Sequence, residues 1–381
     1  MKKIQKRELF YLPGYDPRGT RYYYNLYKKG TAQEAQKGNI FQVSKRERTQ
    51  NYLTSWKVQF EQTETSYNFL EWDDIIRNRW TKNTFEILID LLYIIQFYVF
   101  NGTIITYAKA SPAQLIAAFY PVVYIFFSLF ISMFISSQIF MQITHINIYF
   151  ASFISILIMW FLLSLTIKIG DKFAVFWLLR IYVFAVDYTY KENDELDMRL
   201  DIFADYIVKS LEKRDNHKID EVIIVAHSVG TILVIPLLEK ILKKIEYLDN
   251  HKIPVLTLGE CIPIVSFLPE AKEFREKMKQ VIQSNSFEWV DYTTPIDGAC
   301  FPLLDFYKHS NINVDEDKKP QYLSPRFHIL FSNKEYKKIK RNRYLTHFIY
   351  LMSSEYDKGY NFFKITAGNK SFIENIRKSK S

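Results

Sequence analysis

A serine stands in the sequence where it could act as a nucleophile. The segment Val222 to Ala226 is an uninterrupted apolar run rich in β-branched residues, which is typical of a buried strand. After one further residue comes Ser228, and then an apolar segment, Val229 to Ile245, with the length of a helix. Ala226 and Gly230 flank the serine at two positions on either side, and small residues there let a strand and a helix pack closely around a sharp turn. The pattern predicts a strained turn that presents the hydroxyl at a helix N-terminus, where developing negative charge is favoured.

Strand and helix patterns alternate on both sides of this serine. We expect strands at 8–12, 40–44, 56–61, 67–72, 222–226, 255–258, 287–292 and 326–331. We expect helices at 196–213, 229–245, 270–283, 334–342 and 345–353. Such alternation is typical of a parallel sheet covered by helices on both faces. The sequence therefore predicts an α/β fold with a mostly parallel sheet.

An uncharged segment interrupts this pattern. No Asp, Glu, Lys or Arg occurs in the 58 residues from Ala110 to Ile167. Within it, residues 115–140 and 148–167 are long apolar stretches joined by a short polar connector, and about 20 helical residues cross a bilayer core. Lys109 and Lys168 flank the segment, so the positive-inside rule places both outer ends in the cytoplasm. We expect a transmembrane hairpin, hence a membrane protein with two spans.

The hairpin defines the predicted domain organisation. Residues 1–108 and 169–381 would lie on the same side of the membrane and build one cytoplasmic domain, with the hairpin at 109–168 inserted between them. A further apolar helix is expected at 84–100, where Glu86 and Asp90 interrupt the hydrophobic sequence. We expect this helix to lie against the bilayer surface or to pack on the domain, with a third span as the alternative.

The composition excludes several classes of protein. The chain has 381 residues, with 50 Lys and Arg against 41 Asp and Glu, and a formal net charge of +9. Its 11 Gly and 12 Pro are too few for a collagen-like or disordered linker protein. Cys261 and Cys300 form no C-x-x-C motif or Cys/His cluster, so we expect no disulfide framework, no metal and no cofactor. The basic charge favours a solvated surface attracted to anionic lipid, and no motif indicates nucleic-acid binding.

The nucleophile segment resembles the α/β-hydrolase fold, and more narrowly the bacterial membrane-anchored serine hydrolases of lipase or esterase type. The usual motif is Gly-x-Ser-x-Gly, and Ala226 replaces the first glycine here, as in some lipases of this class. The resemblance extends over nearly all of the sequence outside the uncharged segment. It implies a mostly parallel sheet, a Ser-acid-His triad in that chain order, and an oxyanion hole completed by the first strand-to-helix loop.

Seven histidines are available for the base of such a triad. Five are expected elsewhere, in the membrane connector, in surface loops or beside the serine but pointing away from it: His145, His217, His227, His251 and His309. His347 opens a predicted helix and is followed three residues later by Tyr350, which resembles the triad histidine of many lipases. His328 lies in an alternating segment, where a histidine is more often structural, and it remains the alternative.

The acid of the triad is expected after the strand at 287–292. Asp297 lies just beyond that strand, in the turn where the resemblance places the carboxylate. Asp291, inside the strand, and Asp305 are the alternatives. An Asx-type turn beside Gly298 would account for Asp297 without any catalytic role.

The loop at 12–19 follows the first predicted strand, as the oxyanion loop of the resembled family does. Gly14 would permit close backbone approach, and the N–H groups of Tyr15 and Val229 would bind the oxyanion. Arg18, in the same loop, could meet a phosphate or carboxylate of the substrate or pair with a nearby acidic residue.

Together these features predict a membrane-anchored serine hydrolase facing the cytoplasm and cleaving carboxylic esters, with lipid or acyl conjugates as substrates. Ser228 would attack, His347 would transfer the proton and Asp297 would orient His347. The alternative is a catalytically inactive hydrolase-like protein that serves as a membrane scaffold or binds a partner. The sequence leaves open the head group, the acyl length, the choice among ester, thioester and amide, and the oligomeric state.

Overall fold

The structure is a computed structural model that describes residues 3–80, 83–245 and 252–380. The expectation that His251 is a surface loop residue lies outside the described residues. Contacts between Cα atoms divide the chain into two compact units. The first consists of Met1–Arg79 together with Tyr188–Ser381, and the second is Trp80–Asp187.

The first unit is built on a sheet with nine strands among the described residues. The strands are β1 (Lys6–Leu12), β2 (Phe41–Val43), β3 (Glu47–Gln50), β4 (Leu53–Phe60), β5 (Thr63–Leu70), β6 (Glu221–His227), β7 (Ile253–Leu258), β8 (Phe287–Tyr292) and β9 (Gln321–Leu323). Their order is β2-β4-β5-β1-β6-β7-β8-β9, with β3 also paired to β4. All neighbours from β5 through β9 are parallel, whereas the pairings of β4 are antiparallel.

Helices connect these strands and form the second unit. In chain order, the α-helices are α1 (Gly19–Gln36), α2 (Asp73–Asn78), α3 (Thr84–Ile94), α4 (Thr103–Ala110), α5 (Pro112–Ile143), α6 (Ile148–Asp171), α7 (Val175–Tyr190), α8 (Asp194–Asp215), α9 (Gly230–Lys244), α10 (Pro263–Ser266), α11 (Lys272–Gln283), α12 (Phe306–His309), α13 (Phe327–Leu330), α14 (Asn333–Arg341), α15 (Arg343–Phe348), α16 (Phe362–Ala367) and α17 (Phe372–Lys380). A π-helix covers Ile95–Phe100 and a 3-10 helix covers Ile349–Leu351.

The prediction of a mixed α/β fold with a mostly parallel sheet is confirmed. The central strands β1 and β6 pair in parallel from Arg7 opposite Glu221 to Leu12 opposite Ala226. Every residue of β6 is buried, because a parallel strand inside the sheet is covered on both faces. Continuous burial of this kind explains why the interior of β6, Val222 to Ala226, is uniformly apolar rather than alternating.

The prediction of a strand at 326–331 is wrong. Phe327–Leu330 form the short helix α13, and the last strand is β9, which pairs with β8. Phe327 and Leu330 are both buried, and their spacing of three places them on one side of a helical turn. Arg326, directly before the helix, has a left-handed backbone with φ of 49°, which an extended strand does not allow.

The second unit contains two helices that are long and apolar enough to cross a membrane. These are α5 and α6. α5 extends beyond both ends of the predicted stretch 115–140, and α6 starts at Ile148, as predicted, but continues past 167 to Asp171. The side chain of Asn147 caps α6 by accepting hydrogen bonds from the N–H groups of Tyr149 and Phe150 at 2.9 and 3.0 Å. The unit also includes 80–108 and 169–187, which the sequence assigned to the catalytic domain.

Candidate active site

Ser228 occupies a strained turn between β6 and α9. Its φ is +58°, in the left-handed region that non-glycine residues rarely adopt. The turn is held by two hydrogen bonds: the Ser228 N–H donates to the carbonyl of Leu258 at 3.0 Å, and the Thr231 N–H donates to the Ser228 carbonyl at 2.8 Å. Strain is retained because the ends of two neighbouring strands and the helix surround the serine, which is only 2% exposed.

Two glycines make room for this turn. A Cβ added at Gly230 would lie 2.4 Å from the carbonyl oxygen of Leu12, so the first turn of α9 packs directly on the end of β1. A Cβ at Gly14 would lie 2.6 Å from the Cβ of Ser228 and 3.0 Å from its Oγ. The loop after β1 therefore lies directly against the serine.

Asp297 and His347 form a buried hydrogen-bonded pair. The Nδ1 of His347 is 3.0 Å from both carboxylate oxygens of Asp297, although the residues are 50 positions apart. Burial by itself raises the pKa of Asp297, but the adjacent His347, its hydrogen bond and the Ala299 N–H hold the pKa below the ordinary value. An ionised carboxylate at this position fixes the proton of the imidazole on Nδ1, which leaves Nε2 as the basic nitrogen.

The pair lies beside the end of β7, to which Ser228 is also bonded. Gly259 directly follows Leu258, the acceptor of the Ser228 N–H, and has a left-handed φ of +60°. A Cβ at Gly259 would lie 3.1 Å from Oδ2 of Asp297 and 3.7 Å from Cε1 of His347. Because any larger residue would meet the pair, glycine at this position allows Asp297 and His347 to approach the sheet edge that carries Ser228.

His227 joins the strand of Ser228 to the helix of His347, a contact that the sequence reasoning missed. Its Nε2 donates a hydrogen bond to the backbone carbonyl of His347 at 2.9 Å, and the two ring centroids are 4.8 Å apart. Burial, aided by nearby His347, lowers the pKa of His227 to about 3, so the ring stays neutral. The side chain thus contacts the helix that carries His347, and this contact connects that helix to β6.

The hydroxyl of Ser228 is not engaged with the base. Its Oγ makes no hydrogen bond to Nε2 of His347, so the serine-to-histidine bond of a formed triad is not present. Catalytic hydrogen bonds are often long in a free enzyme and tighten when substrate binds. The structure thus brings Asp297 and His347 together and holds Ser228 at the end of β6.

The alternative histidine and acids have other surroundings. His328 is exposed on α13 rather than set in a strand. Asp291 is buried inside β8, where Thr257 donates a hydrogen bond to it at 2.6 Å. Asp305 caps α12 and forms an ion pair with Lys319 at 3.0 Å. Of the remaining histidines in the described ranges, three are exposed: His145, His217 and His309.

The two predicted oxyanion donors, the N–H groups of Val229 and Tyr15, have different surroundings. Val229 is the residue before α9, and its N–H makes no backbone hydrogen bond within the described chain. Tyr15 is buried, with its ring centroid 6.0 Å from that of Trp72, whose Nε1 donates to the Pro13 carbonyl at 3.0 Å. The Val229 N–H therefore lies next to Ser228 without a backbone acceptor in the described chain. The role of the Tyr15 N–H stays a prediction.

Arg18 pairs with the nearby Asp16, which is one of the two roles expected for it. Its guanidinium contacts both carboxylate oxygens of Asp16, at 2.8 Å from Nε to Oδ1 and 2.6 Å from Nη2 to Oδ2. It also lies 3.6 Å from the ring centroid of Tyr22 and 4.9 Å from that of Phe348. Because Phe348 follows His347, this stack connects the loop after β1 with the helix that carries His347.

Two further acids are buried near the site. Glu260 follows Gly259 and is completely buried, as is Asp291. Burial raises the pKa of Asp291 to about 7, and burial together with nearby Asp291 raises the pKa of Glu260 well above its ordinary value. No sequence pattern marks Glu260, since its burial results from the packing of the loop after β7.

Comparisons with known proteins add no assignment: no family model, no curated protein and no solved structure matches this chain. Within the described ranges, no group of three or more His, Cys, Asp or Glu side chains is arranged to hold a metal ion. The site is therefore interpreted from its own geometry.

Gly14→Ala tests the contact between the loop and the serine. The new methyl group would overlap the Ser228 side chain and displace it, so we expect any ester turnover that depends on Ser228 to fall about 10²-fold, as a small misplacement of a reacting group does. Gly298→Ala is the matched control, because a Cβ there meets nothing within 4 Å. Initial rates with a p-nitrophenyl ester measure both, and equal activity of the two variants would contradict the contact.

Proposed function

We propose that the protein is a serine hydrolase of the α/β-hydrolase type that cleaves carboxylic esters of lipid or acyl substrates at a membrane. The observation that carries this proposal is the buried Asp297–His347 pair, joined through His227 to the strand end at which Ser228 adopts its left-handed turn. An acid, a base and a strained serine in this arrangement have the residue types and order that acyl transfer requires.

The chain order of the site supports the same class. Ser228 follows β6, Asp297 follows β8 and His347 follows β9, so the three residues occur in the order serine, acid, histidine. Parallel strands end at the same edge of a sheet, which brings loops from distant parts of the sequence to one place. The strand-turn-helix around Ser228 is the structural context that distinguishes a nucleophile motif from a chance match.

In the proposed reaction, His347 removes the hydroxyl proton of Ser228 as Oγ attacks the ester carbonyl. Asp297 keeps the imidazole oriented and stabilises its positive charge. The Val229 N–H, with that of Tyr15, binds the oxyanion, and each such donor contributes about 3 to 4 kcal/mol to transition-state stabilisation. Collapse of the tetrahedral intermediate releases the alcohol, which takes the proton from His347. Water, activated by the same histidine, then hydrolyses the acyl-enzyme.

The two apolar helices support a lipid-like substrate. A catalytic unit tethered to a bilayer by α5 and α6 experiences a high local concentration of lipid esters without any additional contact. Lys109 and Lys168 at the outer ends of the uncharged segment favour a cytoplasmic orientation of the catalytic unit.

A fluorophosphonate probe tests the proposal directly. Such a probe phosphonylates an activated serine, so we expect membranes containing the protein to be labelled and Ser228→Ala to abolish the labelling. Ser284→Ala is the control, because Ser284 is exposed at the end of α11 and its hydroxyl donates within its own turn, to the Val281 carbonyl. Labelling that persists in Ser228→Ala would refute the assignment of the nucleophile.

The second candidate is an inactive hydrolase-like scaffold. The observation that favours it is the Ser228 hydroxyl, which is 2% exposed and lacks a hydrogen bond to the base. If the wild-type protein is not labelled by the probe and co-purifies with a stable partner, the scaffold is favoured over the enzyme.

A further inference from the structure

The segment from Thr84 to Ala110 is a bent helical element of the second unit. It consists of α3, the π-helix Ile95–Phe100 and α4, and it is bent by 73° at the break between Phe100 and Thr103. Length and composition alone would allow this segment to be a third membrane span. The pairing of strands in the first unit decides against that reading.

The sheet requires an even number of crossings between its two halves. β1 and β5, from the part of the chain before Trp80, pair with each other, and β1 pairs over nearly its whole length with β6, from the part after Asp187. Strands that share backbone hydrogen bonds lie on the same side of a membrane. In the described chain, α5 and α6 are the two helices that meet the length and hydropathy of a span by themselves, and two crossings already return the chain to its starting side.

We propose that Thr84–Ala110 is a re-entrant element that enters and leaves the bilayer on the side of the sheet, with one face of α3 in contact with lipid acyl chains. A third crossing would leave β6 on the opposite side from β1, which the sheet forbids. α7 offers no compensating crossing, because it is mostly buried within the protein and contains Arg180 and Asp187.

The exposed face of α3 fits an acyl environment. Phe85, Ile89 and Leu92 are 63%, 49% and 66% exposed, and their spacing of four and three places them on one side of the helix. Exposed apolar side chains of the same kind cover the helices that span, such as Phe127 on α5, at 62% exposed. The hydrocarbon that surrounds α5 is thus the occupant whose chemistry matches this face.

The polar groups at the bend form hydrogen bonds within the bend, as a membrane environment requires. Backbone polar groups at a break in a helix must be satisfied where water is scarce. Gly102 has a left-handed φ of 80°, and its N–H donates to the Val99 carbonyl at 3.1 Å. The side chain of Asn101 accepts hydrogen bonds from the N–H and the hydroxyl of Thr103, at 3.3 and 2.9 Å. These polar groups are therefore satisfied locally where the chain bends.

Cysteine accessibility tests the sidedness. The native Cys261 and Cys300 are fully buried, so a membrane-impermeant maleimide should report on introduced cysteines in spheroplasts and in inside-out vesicles. Lys45→Cys, Lys109→Cys and His145→Cys are all at exposed positions. We expect Lys45→Cys and Lys109→Cys to react in the same preparation and His145→Cys in the other. Reaction of Lys109→Cys from the side opposite to Lys45→Cys would overturn the re-entrant element.

Fluorescence quenching tests the lipid contact. Environment-sensitive probes on Ile89→Cys and Leu92→Cys should be quenched by phosphatidylcholine carrying spin labels on its acyl chains, as strongly as a probe on Phe127→Cys. A probe on Lys45→Cys should not be quenched. If the probes on α3 behave like the probe at Lys45, the exposed face contacts water or protein and the proposal is wrong. Neither experiment depends on hydrolase activity, so failure here and failure of the proposed reaction are separable.

Discussion

His347→Ala is expected to lower the turnover of p-nitrophenyl esters by roughly four to six orders of magnitude. Removing the base of a serine triad leaves only the contributions of the oxyanion hole and substrate binding, because the serine hydroxyl is then no longer activated. The buried contact between His347 and Asp297, with both oxygens at 3.0 Å, is the geometry on which this expectation depends.

His328→Ala is the matched control, since His328 lies exposed on α13. We expect its activity to equal that of the wild-type protein. Initial rates in detergent micelles, combined with far-ultraviolet circular dichroism to verify folding, measure both variants. Loss of activity in His328→Ala with an active, folded His347→Ala would reverse the assignment of the base.

Asp291→Asn is expected to stabilise the protein above neutral pH. The folded-state pKa of Asp291 is raised from 3.8 to about 7 by burial, so the unfolded chain loses this proton at lower pH than the folded protein. Protonated Asp291 therefore contributes its full stabilisation of the folded protein below pH 4. This contribution falls as the pH rises towards 7 and is lost at pH values above 7. At pH 8 the folded protein holds an ionised carboxylate beside Glu260, in surroundings from which burial excludes water.

The amide introduced by Asp291→Asn cannot ionise, and its oxygen can still accept the hydrogen bond from Thr257. We expect the free energy of unfolding at pH 8 to rise by about 2 to 4 kcal/mol, the upper value corresponding to the full pKa shift. The difference from the wild-type protein should disappear near pH 4. Urea denaturation followed by tryptophan emission between pH 4 and 8 gives both quantities.

Asp305→Asn provides the opposite case. The Lys308 N–H and Lys319 outweigh the effect of burial and hold the pKa of Asp305 below its ordinary value. Neutralising Asp305 should therefore reduce stability at neutral pH, and this loss should diminish as the pH falls through the pKa of Asp305.

The outcome that would contradict the first of these two predictions is an Asp291→Asn variant that is less stable than the wild-type protein at pH 8. That result would mean that a cation or water balances the buried Asp291 carboxylate.

The contacts between distant loops show where sequence reasoning stopped. The alternation at 326–331 favoured a strand, but burial of Phe327 and Leu330 made the segment helical. The sequence places His227 only next to Ser228, whereas its hydrogen-bond partner is the carbonyl of His347, 120 residues away. Glu260 carries no local signal, because only the packing of the loop after β7 removes it from water.

The sequence by itself determined the features that depend on neighbours in the chain: a strand-turn-helix around Ser228, a mostly parallel α/β sheet, and two apolar helices long enough to span a membrane. Local propensity, hydrophobic periodicity and runs without charge are properties of short segments, so they can be recognised in the sequence before the fold is known. Tertiary structure alone decided that Asp297 contacts His347 and that His227 connects the helix of His347 to the strand that precedes Ser228. Those outcomes depend on the parallel strand order, which brings together loops that are far apart in the sequence.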